Sequence, residues 1–572
     1  MLDYLIKGGT VVDGTGGKPY VADVGIRDGR IVESGGVRNA RTVLDASGLL
    51  VTPGFIDPHT HYDAQLHWDG WATPSSLHGV TTVIAGNCGF TLAPLKEEDA
   101  VYTQRMMARV EGMPIESLRA GPSWSWRSFG EFLDRLDGQV AVNAGFLVGH
   151  CALRRYVLGQ DAVERASTDD EVAVISALLE ESLSAGGLGL SLSRSYTHTD
   201  GDGRPVPSRL ASEDEVLALC DVVGRYDGTS LEGITDGCIR GFDDDSAEFI
   251  ARMSARARRP LNWNLLPIAS GMASYVDKQL RPSALAQELG GRVVALSMPV
   301  ASESCVTLGS YCIWWMAPGW DRVLSLPLAE KKEALADAEV RNRLLKSAQG
   351  PDAGVGASAG RMGRYRFGAT TARRNEGLQG RLVSQVAAER GIDDFACVVA
   401  ASTAEDFDLD FWPERPTDPD DDPSYRARLW ESPDVLIGGS DAGAHLDHLL
   451  GSAYPTRFLA DVLRGSRIVA LERAVRLMTD VPARLFGLRD RGRIAPGWRA
   501  DLAVLDPNTV GSGPVRRAYD LPGGGYRLMA GSEGVVRVFV NGVETINDGV
   551  PTAARAGMIL RSGRDTTATA TS

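Results

Sequence analysis

The chain has 572 residues, 43% hydrophobic and 23% charged, enough to bury large cores and to make roughly two to four domains. Its 60 basic and 74 acidic side chains leave a net charge of −14, which repels phosphate backbones and anionic lipid and so excludes nucleic acid and membrane surfaces as partners. No apolar run reaches the roughly eighteen residues of a membrane span, and MLDYLIKGGTVVDG lacks the basic start and cleavage site of a secretory leader, so a cytoplasmic protein is expected.

Residues 1–52 read as short strands between turns: YLIKGGTVVDG, ADVGIRDGRIVESGG with an Asp-Gly turn, and TVLDASGLLVTPG. Residues 488–562 repeat this style, with ADLAVLDP and then VVRVFVNGVETINDGV around an Asn-Gly turn. Neither stretch can bury its own apolar face, so the two ends are expected to combine into one β-sandwich domain. The last residues, 563–572, read as a flexible tail.

Between them, over 53–487, strand-like runs alternate with periodic helical segments. The strand candidates are GVTTVIAG, VAVNAGFLVGH, GGLGLSLS, TSLEGI, PLNWNLLP, RVVALSMPV and VLIGGSD. The helical candidates include DEVAVISALLEESLSA, SEDEVLALCDVVGRY and SAEFIARMSARA, with apolar residues at three- and four-residue spacing. This alternation predicts an α/β fold, a (β/α)8 TIM-like barrel. Two stretches break it: a Gly/Ala-rich one near 345–365 and an Asp/Pro-rich one near 405–430, both read as insertions. The Trp314, Trp315 and Trp320 cluster reads as core or pocket wall.

Seven scattered cysteines form neither a disulfide framework nor a CxxC zinc pattern. The eight histidines include none between His198 and His445. The sharpest local signal is GFIDPHTHYD, where His59 and His61 follow an apolar run. On a strand, alternate side chains share a face, so both imidazoles would project from the strand's carboxyl end and suit a divalent metal. In VLIGGSDAGAHLDH, Asp441 ends the last strand-like run. If the barrel closes, that end lies beside the first strand, and Asp441 would share the cation and take a proton from water. His445 and His448 follow at helical spacing, with His445 the nearer to a substrate-binding role.

Together with GNCGF, GHCALR, GSDAGAH and the tail PARLFGLRDRGRIAPGWRADLAVLDP, these motifs cover nearly the whole chain in order. They resemble the amidohydrolase superfamily, and within it the N-acyl-D-amino-acid deacylase (D-aminoacylase) family. The resemblance implies a metal-binding cysteine at Cys88, where zinc would stabilise the thiolate. That family usually draws two more histidines from its fifth and sixth strands. Here TSLEGI and PLNWNLLP offer Glu232, and Asn262 or Asn264, of which the carboxylate is a plausible metal ligand and the amides poor ones. The same resemblance makes His150 a candidate for polarising the scissile carbonyl, Arg154 for pairing with a substrate carboxylate, and Asn264 a substrate-side group. Ser193, Arg194, Tyr196 and His198 end the next strand as further substrate-binding candidates.

There is no GxxxxGK[ST] phosphate loop and no GxSxG nucleophile elbow. The function expected is a metal-dependent amidohydrolase cleaving a C–N amide bond of a small substrate, with N-acyl-(D-)amino acids first. The cofactor expected is one or two divalent ions, zinc first. Alternatives are hydrolysis of cyclic amides or imides, non-hydrolytic chemistry on the same barrel, or a reduced barrel that serves as a binding scaffold. A homodimer is compatible with this reading.

Overall fold

The protein is described from a computed structural model, which covers residues 1–32, 39–414 and 422–569. The chain divides into two compact units. One comprises Met1–Ser302, Asp420–Leu446 and Leu450–Ser572, and the other Glu303–Pro419 and Asp447–Leu449.

In the larger unit both chain ends build one nine-stranded sheet. The join is the antiparallel pairing of Leu50–Pro53 with Leu502–Leu505, residue for residue from Leu50↔Leu505 to Pro53↔Leu502. The hairpins turn where the sequence places Asp-Gly and Asn-Gly. Asp28 and Gly29 have φ of 50° and 74°, and Asn541 and Gly542 have 47° and 80°, the paired left-handed conformations that match strand twist. The expected strand segment's residues 33–38 lie outside the described residues, as do 415–421 of the acidic insertion and 570–572 of the tail. Residues before 570 are tied down: Thr566 Oγ1 donates to the Gly228 carbonyl at 2.8 Å, and Thr567 N to that of Gly487 at 2.8 Å.

Ten further strands form two parallel sheets. A four-stranded sheet contains Phe55–Asp57, Val80–Ala85 and Asn143–Phe146, with Ile559–Leu560 at its edge. A six-stranded one runs Val148–Gly149, Gly189–Arg194, Ser230–Thr235, Pro260–Trp263, Arg292–Ser297 and Val435–Ile437. One residue separates Asn143–Phe146, next to the Ile559–Leu560 edge, from Val148–Gly149 at the edge of the six-stranded sheet, so the chain passes directly from one sheet to the other. At the far edges a parallel bridge joins Thr60 to Ala442. It is flanked by the His61 N to Ala442 O hydrogen bond at 2.7 Å and the Asp441 N to His59 O hydrogen bond at 3.2 Å. Ser440 Oγ adds a 2.5 Å bond to the buried Asp57 carboxylate.

Helices connect the strands, and their starts are written in the sequence. Thr168 and Glu171 exchange capping hydrogen bonds ahead of Asp169–Ser184, Ser212 caps Glu213–Val223, and Asp243 with Ser246 caps Asp244–Ala257. Val216, Leu219, Cys220, Ile250 and Met253 on these helices are buried in the unit's main core. Because the strands are parallel, their carboxyl ends share one side, and the candidate residues follow those ends.

The smaller unit has its own core, in which Trp320 stacks on Phe395 at 5.1 Å and Trp314 packs against Tyr365 and Phe411. The tryptophan cluster is thus interior packing. The Gly/Ala-rich stretch coils as the 3-10 segment Pro351–Arg364, and Tyr365–Phe367 pairs antiparallel with Phe411–Pro413.

Candidate metal centre

His59 and His61 lie just beyond Phe55–Asp57, fully buried, with ring centroids 5.3 Å apart. The Thr60 bridge to Ala442 fixes this segment, so both rings face the start of the Asp441 loop. Asp441 Oδ1 lies 3.2 Å from His61 Nε2 and 3.5 Å from His59 Nε2. Cys88, in the turn after Val80–Ala85, brings Sγ to 3.5 Å from His59 Nε2. Donor atoms of His59, His61 and Cys88 lie within 4.8 Å of one another, a spacing from which soft nitrogen and sulfur ligands can share one cation.

Glu232, in Ser230–Thr235, closes the deep side. Its Oε2 accepts the Cys88 amide at 2.6 Å, and its Oε1 lies 4.0 Å from the Cys88 thiol and 3.9 Å from His59 Nδ1. Strand register puts it between Ser191 and Asn262. Ser191 receives the Gly89 amide at 3.1 Å and so braces the cysteine turn. Asn262 donates to the Leu231 carbonyl at 3.2 Å. Asn264, half-buried past the strand end, keeps a buried Oδ1 without a protein partner among the described residues.

The loop conformations are costly. Cys88, Asp441 and His445 have φ of 54°, 59° and 49°, a left-handed region that costs a non-glycine residue roughly 1–3 kcal/mol and tends to mark functional positions. The run after Asp441 is a turn rather than the helix its spacing suggested, because Gly443 has φ 94° and packs against the His61 carbonyl. His445 Nε2 consequently approaches Asp441 Oδ2 at 3.9 Å, whereas His448 pairs with its neighbour Asp447 at 2.7 Å.

Electrostatics favour a cation here. Burial pushes the Cys88 thiol up, with Glu232 adding to the effect, and raises Glu232 to about 8. It raises Glu111 to about 8 and Asp63 to about 6 as well. Burial also opposes charge on Asp441, but hydrogen bonds from His59 and His61 overcome it and hold that carboxyl well below the usual range. His59 is lowered by burial. For His61 the Glu111 and Asp441 charges outweigh burial and raise it to about 10. So many buried acidic groups around two imidazoles are short of positive charge, which a divalent ion supplies. The donor set fits such an ion: the Nε2 atoms of His59 and His61 converge on Asp441 Oδ1, and the Cys88 thiol lies beside His59 Nε2.

Other expected residues have partners of their own. His150 is buried with Nδ1 2.9 Å from Ser208 Oγ and Nε2 3.0 Å from Glu215 Oε1. Arg154, also fully buried, bonds Glu215, Ser167 Oγ and the Arg165 carbonyl. With these partners, the two satisfy a buried carboxylate. Ser193 Oγ contacts His198 Nδ1 at 2.7 Å. His198 is depressed to about 3 by burial and by the charges of His61 and His445, and its ring lies 5.3 Å from that of Phe90, two residues after Cys88. Arg194 lies over the Phe249 ring and Tyr196 under the Arg240 guanidinium. Among the other histidines, His78 bonds Thr456 Oγ1 and the Ala530 carbonyl, and His67 stacks on Trp126.

Two acids escaped the sequence reading. Asp63 accepts the Gly86 amide at 3.1 Å. Glu111 puts Oε1 3.5 Å from His61 Nδ1. A signal for Glu111 was present: it caps the carboxyl end of the helix Ala100–Val110, where the helix dipole disfavours an acid.

A model described as the amidohydrolase family matches residues 42–552. D-aminoacylase of Alcaligenes xylosoxydans xylosoxydans is 28% identical, over 98% of this chain and 97% of its own. N-acyl-D-aspartate deacylase of the same organism is 29% identical, over 98% and 95%. A solved structure described as addressing the binuclear metal centre in D-aminoacylase superposes with a TM-score of 0.63 at 25% identity, covering 98% of this chain and 100% of that one. Among the described residues no helix is long and apolar enough to cross a membrane.

Proposed function

The chain belongs to the amidohydrolase family, and from that premise we propose that it is a metal-dependent hydrolase of N-acyl amino acids, those of D configuration first. The observation that carries this reading is the convergence of Asp441 Oδ1 on both imidazoles, at 3.2 and 3.5 Å, with the Cys88 thiol 3.5 Å from one of them. It is supported by the D-aminoacylase and N-acyl-D-aspartate deacylase relatives, which align over nearly the full chain, and by the metal centre named for the D-aminoacylase structure. The two parallel sheets, joined by the chain between Asn143–Phe146 and Val148–Gly149 and by the Thr60–Ala442 bridge, are on this reading one closed (β/α)8 barrel, and the nine-stranded sheet is the core of a β-sandwich made by both termini.

His59, His61, Cys88 and Asp441 would hold the ion, with Glu232 on the Cys88 side. When bound, a divalent ion polarises an amide carbonyl and lowers the pKa of water. Asp441 is the donor open to substrate, its side chain a quarter exposed while those of His59 and His61 are buried. Its carboxylate accepts a proton from the attacking water and returns it to the departing nitrogen as the C–N bond breaks, which leaves a carboxylic acid and an amine. Ser193, Arg194, Tyr196, His198 and His445 would line the substrate side, with Asn264 offering its free carbonyl oxygen. Seven free, buried cysteines agree with a reducing, cytoplasmic setting.

The test is a panel of N-acetyl-D- and N-acetyl-L-amino acids and cyclic amides, assayed on protein stripped by chelation and reloaded with zinc. Turnover of the N-acyl acids that returns with metal supports the reading. Metal uptake with no turnover on any member would leave the scaffold alternative in its place.

A further inference from the structure

We propose that Glu111 is a positioning residue of the metal centre, aiming the His61 imidazole at the cation with its carboxylate and holding the Asp441 loop with its main-chain carbonyl. This rests on the metal-binding reading and adds a residue to it.

The inference starts from the two nitrogens of His61. Nε2 faces Asp441 Oδ1 at 3.2 Å, so Nδ1 is the nitrogen that must carry the proton if Nε2 is to ligate. That Nδ1 is sealed from solvent, and the group facing it is Glu111 Oε1 at 3.5 Å. A ligating imidazole characteristically gives its second N–H to a carboxylate, which fixes the tautomer, sets the ring plane and raises the basicity of the ligating nitrogen. His59 shows the same arrangement more loosely, with Nδ1 3.9 Å from Glu232 Oε1. Both metal-facing rings are therefore backed by buried acids.

Glu111 does a second thing. Its carbonyl accepts the His445 amide at 2.5 Å, which ties down the far end of the loop that starts at Asp441. Both Asp441 and His445 hold left-handed backbone, so the loop needs an external restraint to keep Asp441 pointed inward. One residue thus clamps the ligand arm after Phe55–Asp57 and the arm after Val435–Ile437. Its own location is unfavourable in every other respect: 3% exposed, and at the carboxyl end of a helix. His61 gives it a reason to be there.

The test uses full-length protein, wild type beside Glu111→Gln and Glu111→Ala, with zinc affinity read by competition against a chromophoric chelator and ligand geometry read from the absorption of the cobalt-substituted forms. Glu111→Ala is expected to weaken zinc binding about 10- to 100-fold and to change the cobalt spectrum, and Glu111→Gln, which keeps an acceptor oxygen, to recover part of the affinity. If Glu111→Ala does not fold, Glu111→Gln decides: affinity lowered at least about threefold with a shifted cobalt spectrum supports the role. Variants that bind zinc as tightly as wild type with an unchanged cobalt spectrum overturn it while leaving the metal site intact. A wild type that takes up neither metal overturns the metal reading, and Glu111's role with it.

Discussion

The Cys88 amide donates to Glu232 Oε2 at 2.6 Å, and its thiol sits 4.0 Å from Oε1 of the same carboxylate. This pair joins the turn after Val80–Ala85 to the strand Ser230–Thr235 and holds Cys88 in its left-handed conformation. It also sets a carboxylate where the family resemblance anticipates an imidazole.

Replacing Glu232 therefore acts on metal before it acts on fold. Glu232→Gln keeps an acceptor for the Cys88 amide and removes the carboxyl that a cation beside thiol and imidazole would hold ionised. We expect zinc affinity to fall at least tenfold in a chelator competition, with the metal-free protein losing no more than about 2 kcal/mol in denaturant unfolding. Unchanged affinity would remove Glu232 from the centre.

Asp441→Asn removes the proton acceptor and exchanges a carboxylate ligand for a weaker amide one, so it is assayed with zinc in excess. The amide still fits between His59 and His61 but cannot take a proton, so kcat on an N-acyl amino acid should drop about 10²- to 10⁴-fold while KM moves little. Steady-state kinetics on zinc-loaded protein check this.

Glu215 should be a stability residue. Burial opposes its charge, but the hydrogen bond from His150 and the charges of His150 and Arg154 prevail and lower it from 4.5 to about 2. A carboxyl lowered on folding stabilises the native state fully above its unfolded pKa and loses that contribution as pH falls through the folded one, so the loss runs from about pH 4.5 down to about pH 2. The contribution is on the order of 3 kcal/mol. Thermal unfolding against pH should show Glu215→Gln destabilised at neutral pH, where it strands Arg154, with the difference from wild type shrinking across that window.

Gly443 has φ 94°, and a Cβ there would lie 2.5 Å from the His61 carbonyl oxygen. Gly443→Ala must push the Asp441 loop off the His61 segment. We expect zinc affinity to fall and stability to drop by about 1–3 kcal/mol, measured by the same competition and by denaturant unfolding.

What sequence could reveal followed from how local each signal was. Strand ends, capped helices and the Asp28-Gly29 and Asn541-Gly542 turns are decided by neighbouring residues, and the structure forms them where the patterns lie. The His59/His61 pair and Asp441 were legible because each ends a strand and chain order alone brings those ends together. His150 and Arg154 also end a strand-like run, yet their environment is set by Glu215 from a distant helix, which periodicity does not reveal. The helical spacing of His445 and His448 misled because Gly443 and the left-handed Asp441 divert the backbone first. Glu111 carried only the faint mark of an acid at the wrong end of a helix.

Zinc K-edge absorption on the loaded protein tests the centre most directly. The account predicts one sulfur scatterer at about 2.3 Å beside nitrogen or oxygen neighbours at about 2.0–2.2 Å, with the sulfur lost in Cys88→Ser and imidazole scattering reduced in His61→Ala. A shell of oxygen alone, unaltered by either substitution, would contradict it.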